Sequence, residues 1–369
     1  MRSNVPKVGE TLFGPSPSSI FVGHEGYPNV FVGPMVSVKP ENMDTVDTPE
    51  KMYGLNTAGI IKLRYSLVRT KLNQSIFSKD RYISELQDVV LAKKPTDLEV
   101  NFSKKPTFSS SFSPLLQPMG LSGELKTLKL AQNPSIGKSV YRLVEDELTA
   151  TDTAIEFYKL GTDVSKISKI LSSGVLGKAQ KKLVPTRWSI TAVDDMLGKH
   201  IILQIKDSPT INEVLLYENT YLDNHFYIIL MPGSWEFEQI ETWFPQTLWN
   251  KGGVNEPQFS VESEFYFGRK KYAITQSGGY YAARFGVLEG LKNMGRQARS
   301  MVIREIYEGY DIPVGVWEVR ENVRNAFRNP PKKFASLEEL CKSLKTKVGP
   351  QIYRQKSNLL HQNRITDFL

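Results

Sequence analysis

The apolar positions of this chain change period along its length. In SKDRYISELQDVVLA (78–92), Ile83, Leu86 and Val90 recur on one helical face, and TATDTAIEFYKLGTDVSKISKILSSG (149–174) reads as two helices broken near Gly161 and closed by Gly174. IFVGHEGYPNVFVGPMVSV (20–38) is β-prone and interrupted by turn residues, which suits a hairpin or two short strands. Residues 1–19 and 103–123, rich in Pro, Gly or Ser, read as poorly ordered. From residue 184 onward β signals strengthen. VLLYEN (214–219) and HFYIILM (225–231) predict strands, and QFSVESEFYFG (258–268) alternates with period two, opposing Phe259, Val261, Phe265 and Phe267 to Glu262 and Glu264.

SWEFEQIETWFP (234–245) predicts a helix between Ser234 and Pro245, with Phe237, Ile240 and Phe244 on one face. A turn feeds a helix over 275–295, strands follow at 301–306 and 314–319, and 321–329 is a short helix. Ser336 and Glu339 have capping-box spacing at the start of the last helix, where Cys341 sits among leucines. The mixture lacks a strict βαβ rhythm and implies an α+β fold, with a mixed, largely antiparallel sheet and flanking helices. The expected organisation is a disordered leader (1–19), a mostly helical region with a short hairpin (20–183), an α+β core (184–349) and a flexible tail (350–369).

Composition narrows the chemistry. Apolar content of 40 % and charged content of 23 % over 369 residues are those of a globular protein, and the net charge of +8 favours a polyanionic partner as much as it fits a solvated basic surface. A single cysteine excludes an internal disulfide and a cysteine-based zinc site, and the four histidines have no metal-ligand spacing. Without a secretory leader or a long apolar run, the expectation is a soluble intracellular protein with no membrane partner.

Four groups of residues have patterns that could carry chemistry. In VPTRWSITAVDDMLG (184–198), Thr191 and Asp194 fit a capping box; alternatively Arg187 holds an anion while Asp194 and Asp195 hold a divalent cation. In FGRKKYAITQSGGYYAAR (267–284), Gly278 and Gly279 open a helix whose N-terminus can bind phosphate or a nucleotide, surrounded by Arg269, Lys270, Lys271 and Arg284. Arg284 falls on the packing side, so it needs an anion there, either a protein carboxylate or a phosphate. Arg320, Arg324 and Arg328 recur every four residues and, with Lys332 and Lys333, form either a DNA-tracking ridge or a solvated, ion-paired face. Glu262 and Glu264, about 6.6 Å apart along a strand, could join Asp194 or Asp195 as catalytic carboxylates around Mg²⁺, or simply face solvent.

The last eight residues, QNRITDFL, place Gln362, Ile365, Phe368 and Leu369 at a spacing that sets three apolar side chains on one side of a helical turn. This is similar to the peptide that docks on the PCNA sliding clamp, departing from it at Leu369, where a second aromatic is usual. FVGHEGYPNVFVGP, LVPTRWSITAVDD, SWEFEQIETW, FGRKKYA, GGYYAAR, RQA and VGVWEVRENVR together resemble the archaeal Nre DNA-repair family. That resemblance implies a role in DNA-damage repair in the archaeal cytoplasm, at the nucleoid through the clamp, and implies no settled reaction. A repair factor, a nucleotide or phosphodiester enzyme, and a non-catalytic adaptor are the three functional classes left open.

Overall fold

The structure is a computed structural model and describes residues 5–361 except 112, 114, 179 and 251–253. The chain forms two compact units, Met1–Leu197 with Pro313–Gly315, and Gly198–Ile312 with Val316–Leu369. The division falls within a helix, later than the expected boundary at 183/184.

The first unit is built on a seven-stranded sheet: β1 (Thr11–Ser16), β2 (Ile20–Val22), β3 (Asn29–Ser37), β4 (Leu67–Ser75), β5 (Thr96–Phe102), β6 (Thr107–Ser111) and β7 (Met119–Leu130). The order is β1-β5-β7-β4-β3-β2, with β6 also on β7. Among the described residues of this unit, only β4 and β7 pair in parallel. Seven helices accompany it: α1 (Pro49–Met52), α2 (Thr57–Arg64), α3 (Arg81–Leu91), α4 (Lys138–Glu145), α5 (Ala150–Lys159), α6 (Val164–Ser172) and α7 (Thr186–Ile205), the last crossing the division. Asp80 caps α3 by accepting the Ile83 N–H at 3.0 Å. One face of the sheet is apolar: Val36, Val68, Leu98, Val100, Leu121 and Leu125 pack with Val89 of α3. Gly14 lies so close to β3 that a Cβ there would come 2.2 Å from the Ser37 carbonyl oxygen, so the sheet curls back on itself.

Three expectations fail here. Thr11–Ser16, placed in the disordered leader, pairs with β5. The Ser/Pro-rich 103–123 contributes β6 and the start of β7. The region expected to be mostly helical is organised by a sheet, because strands such as LVRTKLNQS bury one face only and carry polar residues on the other.

The second unit has a six-stranded sheet of β8 (Val214–Tyr221), β9 (Asn224–Met231), β10 (Glu236–Trp243), β11 (Gln258–Glu264), β12 (Arg299–Ile306) and β13 (Lys332–Phe334), in the order β11-β10-β12-β9-β8-β13. Helices α8 (Gly278–Met294) and α9 (Trp317–Ala326) pair with each other, and α10 (Leu337–Ser343), α11 (Pro350–Lys356) and α12 (Asn358–His361) end the described chain. Gly286 and Gly290 let α9 approach α8: a Cβ at 286 would come 2.8 Å from Val323, and one at 290 would come 2.6 Å from the Phe327 ring. The expected strand at 314–319 is therefore replaced from Trp317 by helix, whose Val319, Val323 and Ala326 are buried at helical spacing. The expected helix at 234–245 is instead β10, hydrogen-bonded between β11 and β12. Its apolar spacing misleads because both faces are buried, including Glu238, Gln239 and Glu241.

The other sheet face packs Val214, Leu216, Tyr227, Ile229, Ile240, Met301 and Ile303 against Leu340, Leu344, Tyr353 and Leu359. Ser336 caps α10 as expected, its hydroxyl accepting the Glu339 N–H at 3.2 Å. Buried Glu238 accepts the N–H groups of Asn358 (2.8 Å) and Leu359 (3.1 Å), and Arg299 donates to the Leu359 carbonyl at 2.6 Å. Glu305 accepts from the Tyr353 hydroxyl at 2.7 Å and from the Lys347 N–H at 3.1 Å. Residues 350–361, expected to open a flexible tail, are thus fastened to the sheet. Leu359→Ala should lower stability by about 2–5 kcal/mol in urea unfolding and speed tryptic cleavage at Lys356.

Candidate functional site

Two groups of residues that looked independent in the sequence meet on the α8 side of the second sheet. Glu262 and Glu264 follow each other on the same face of β11, as period-two alternation requires. Arg269 reaches Glu262 at 2.6 Å, and Glu262 also accepts from the Thr275 N–H (3.0 Å) and hydroxyl (2.7 Å). Arg284 reaches Glu264 at 2.8 Å, and the Trp235 indole N–H donates to the same carboxylate at 3.1 Å. The anion that buried Arg284 required is therefore a protein carboxylate. Gly278 and Gly279 do open α8, but a Cβ at 279 would lie 3.2 Å from Glu241, so a carboxylate already approaches the helix N-terminus. Lys270 and Lys271 stay on the exposed loop before it.

Beside these pairs runs a fully buried network that sequence reasoning missed. Arg304 of β12 donates to Glu241 at 2.9 Å, to Glu318 of α9 at 3.1 Å and to the Asn224 side-chain oxygen at 2.7 Å. Asn322 donates to Glu318 at 3.0 Å, and Gln239 to Glu241 at 3.0 Å. Burial pushes the Glu318 carboxyl up to about 7 against the pull of Arg304. The signal was the run of Glu and Gln on β10, concealed by its reading as an amphipathic helix.

The arginine ridge does not face an open phosphate track. Arg320 is buried 3.7 Å from Glu321. Arg324 grips Glu289 with two nitrogens, at 2.6 and 2.9 Å, and reaches Glu321 at 2.7 Å. Arg328 bonds to Asn325, Lys333 to Glu213 at 2.9 Å and Lys332 to Glu218. Arg320 and Arg324 of this ridge are therefore ion-paired within the protein, and Arg320 is not solvated.

In the first unit, α7 starts at Thr186 after Pro185, so Thr191 and Asp194 lie inside the helix and cannot form a capping box at its start. Asp194 is buried in that helix and Asp195 is half-buried beside it. Arg187, two turns earlier, turns to the β2–β3 hairpin and bonds to the His24 ring at 3.0 Å. Thr186 accepts the Val22 N–H at 2.9 Å, and Tyr27 packs on Trp188 with centroids 5.3 Å apart.

The face of the hairpin that carries Phe21 continues onto β4, covered at one end where Met35 and Leu67 are buried with Phe21 against them and open at the other around Phe31. Register places Phe21, Phe31, Arg69 and Lys71 on this face, and the Arg69 guanidinium lies 4.5 Å from the centre of the Phe21 ring. Lys71 stands 5.7 Å from that of Phe31. Burial lowers the Arg69 pKa, opposed by Glu25; burial and Arg69 lower that of Lys71, opposed by Glu124. Arg69 and Arg187 share one property. Among the described residues, every other arginine that is not exposed meets a carboxylate within 3.7 Å, whereas these two meet none. The hairpin sequence had suggested turns, and nothing in it marked Arg69 as a neighbour.

Among the described residues, no group of three or more His, Cys, Asp or Glu side chains is placed to hold a metal ion, and no helix is long and apolar enough to cross a membrane. The tail candidates Gln362, Ile365, Phe368 and Leu369 lie outside the described residues.

Two family models span the chain, Archaeal Nre, N-terminal, matching residues 1–250 and so reaching into the second unit as far as β10, and Archaeal Nre, C-terminal, matching 264–368. The chain belongs to the archaeal Nre family. It is 37 % identical over 330 residues to the DNA repair protein NreA of Haloferax volcanii, covering 86 % of this chain and 79 % of that one. It is 35 % identical to the DNA repair protein NreB of Archaeoglobus fulgidus, covering 97 % and 91 % of the two chains. To the DNA repair protein NreA of the same organism it is also 35 % identical, covering 94 % and 88 %. No solved structure matches.

Arg284→Met, which leaves Glu264 buried without this cation, should cost about 3–5 kcal/mol in chemical denaturation, and adding Glu264→Gln should recover most of it. Glu318 titrates higher in the folded chain than its ordinary 4.5. The native state therefore binds more protons between about 4.5 and about 7, and stability falls as pH rises through that window. Glu318→Gln should remove this residue's share of the slope, measured as urea midpoints across the same range.

Proposed function

We propose that this chain is a DNA-damage repair factor brought to DNA by the PCNA sliding clamp through QNRITDFL, acting in the cytoplasm at the nucleoid. The repair role is supported by the family and by the printed names of its relatives. One observation carries the tether: the backbone is held to the sheet through Leu359 by Glu238 and Arg299, and Gln362 follows three positions later. The docking peptide would follow directly on the last anchored residues that are described.

Ile365, Phe368 and Leu369 each contribute about 1.5–3 kcal/mol when buried in a pocket, before ordering costs. Their sum, about 4.5–9 kcal/mol, makes roughly micromolar binding, about −8 kcal/mol, feasible as an upper limit. A ring that encircles DNA then converts this modest affinity into a raised local concentration of the body beside the duplex. The enzyme reading loses support, since Glu262, Glu264, Arg269 and Arg284 are already one another's partners.

Isothermal calorimetry tests the tether with the full chain, Phe368→Ala and a chain ending at His361. Binding to the clamp by the full chain alone, with all three unfolding at the same urea concentration, is the expected result. Equal affinity of the full and shortened chains would rule it out.

A further inference from the structure

Arg69 and Arg187 are the two arginines, among the described residues that are not exposed, that no carboxylate meets, and both converge on the β2–β3 hairpin. They touch Phe21 and His24, three residues apart, or about 10 Å along an extended chain. Lys71 adds a third positive charge on the same face as Arg69. Glu25 and Glu124 lie in the fields of Arg69 and Lys71 without forming an ion pair.

Three aromatic rings stand among these cations, half out of water: Phe31 at 42 % exposure, Tyr27 at 43 % and Trp188 at 45 %. A ring buried in the fold would be closed to a ligand, and a lone exposed ring would need no explanation. Three of them, interleaved with uncompensated cations, offer π faces for bases and positive charge for a backbone. Stacking on side chains requires bases already out of a double helix.

We infer that the β2–β3 hairpin, the adjoining face of β4 and the first turn of α7 bind single-stranded DNA, with Arg69, Arg187 and Lys71 on phosphates and Phe31, Tyr27 and Trp188 against bases. The choice of DNA over RNA rests on the repair role proposed above; the surface itself does not. The arginine ridge and the α8 N-terminus are excluded from this contact, because breaking their ion pairs would oppose binding.

Fluorescence anisotropy of a labelled oligothymidine of about 16 nucleotides, titrated with the full chain in a salt series and without the clamp, is the test. The wild type should bind the single strand more tightly than a duplex of equal length. Phe31→Ala should weaken binding about 5- to 150-fold. Arg69→Gln with Arg187→Gln should reduce the slope of log affinity against log salt by about 1.4, roughly 0.7 for each lost phosphate contact. Arg69→Lys with Arg187→Lys should keep the slope. If the glutamine pair unfolds, Phe31→Ala and Trp188→Ala, both at half-exposed positions, carry the test. Wild-type affinity in these aromatic variants, or a preference for duplex, would overturn the inference. The chain ending at His361 should bind the oligonucleotide like the full chain, so failure of this surface and failure of the clamp tether are separate results.

Discussion

A charge taken out of water must be answered by another. In the second unit this constraint governs an entire sheet face, where Arg304 is shared by Glu241 and Glu318, Arg284 is matched to Glu264, and Arg269 to Glu262. Such pairs add little net stability, since desolvation offsets much of their attraction, but losing one partner is expensive. They therefore fix which strand lies beside which helix. Arg304 joins β12 to α9 and to β10, and Arg284 joins α8 to β11; a shifted register would strand a charge. The same matching removes these groups from the pool available to a phosphate or metal ion.

Carboxylates organise the opposite face differently. Glu238 and Glu305 meet backbone N–H groups and hydroxyls of the C-terminal helices, while Tyr353 and Leu359 fill the apolar layer between them. Burial raises the Glu238 pKa even though Ser357, Leu359 and Asn358 all donate to it. Its hydrogen bonds locate α12 without a formal counter-ion in contact. Short helices such as α11 and α12 would not hold together alone; their order comes from the sheet. The position of the last described helix is thus set by β10 and β12, far away in sequence.

Local signals read well wherever one rule acted alone. The apolar face of α3, the two helices on either side of Gly161, the strands β8 and β9 and the Ser336 cap follow directly from spacing and cap chemistry. Misreadings arose where tertiary burial overrode period. β10 is covered on both sides, so its carboxylates point inward and its remaining apolar residues mimic a helix. The stretch 314–319 reads as a strand, yet from Trp317 onward packing of α9 against Gly286 and Gly290 of α8 selects the helix. For the candidate site, residue types were readable and partners were not: Glu264 and Arg284 were both singled out, but twenty positions of sequence give no hint that one answers the other.

Pairing status, more than abundance, separates the cations that can serve a ligand from those that serve the fold. Arg320, Arg324 and Arg328 form the most conspicuous basic pattern in the chain, but two of them are bound to Glu321 or Glu289 and the third to Asn325. Asp47 shows the same economy in the first unit: burial raises its pKa, Lys169 and Arg64 more than reverse the effect, and both cations are consumed there. Arg69 and Arg187 carry no such obligation, although burial makes Arg69's charge costly to keep. A protein that matches its other inward guanidinium groups so consistently would gain stability by placing an apolar residue at position 69. Beside Phe21, and on the same hairpin and β4 face as Phe31, which water reaches, this cation is left available to the anion proposed above.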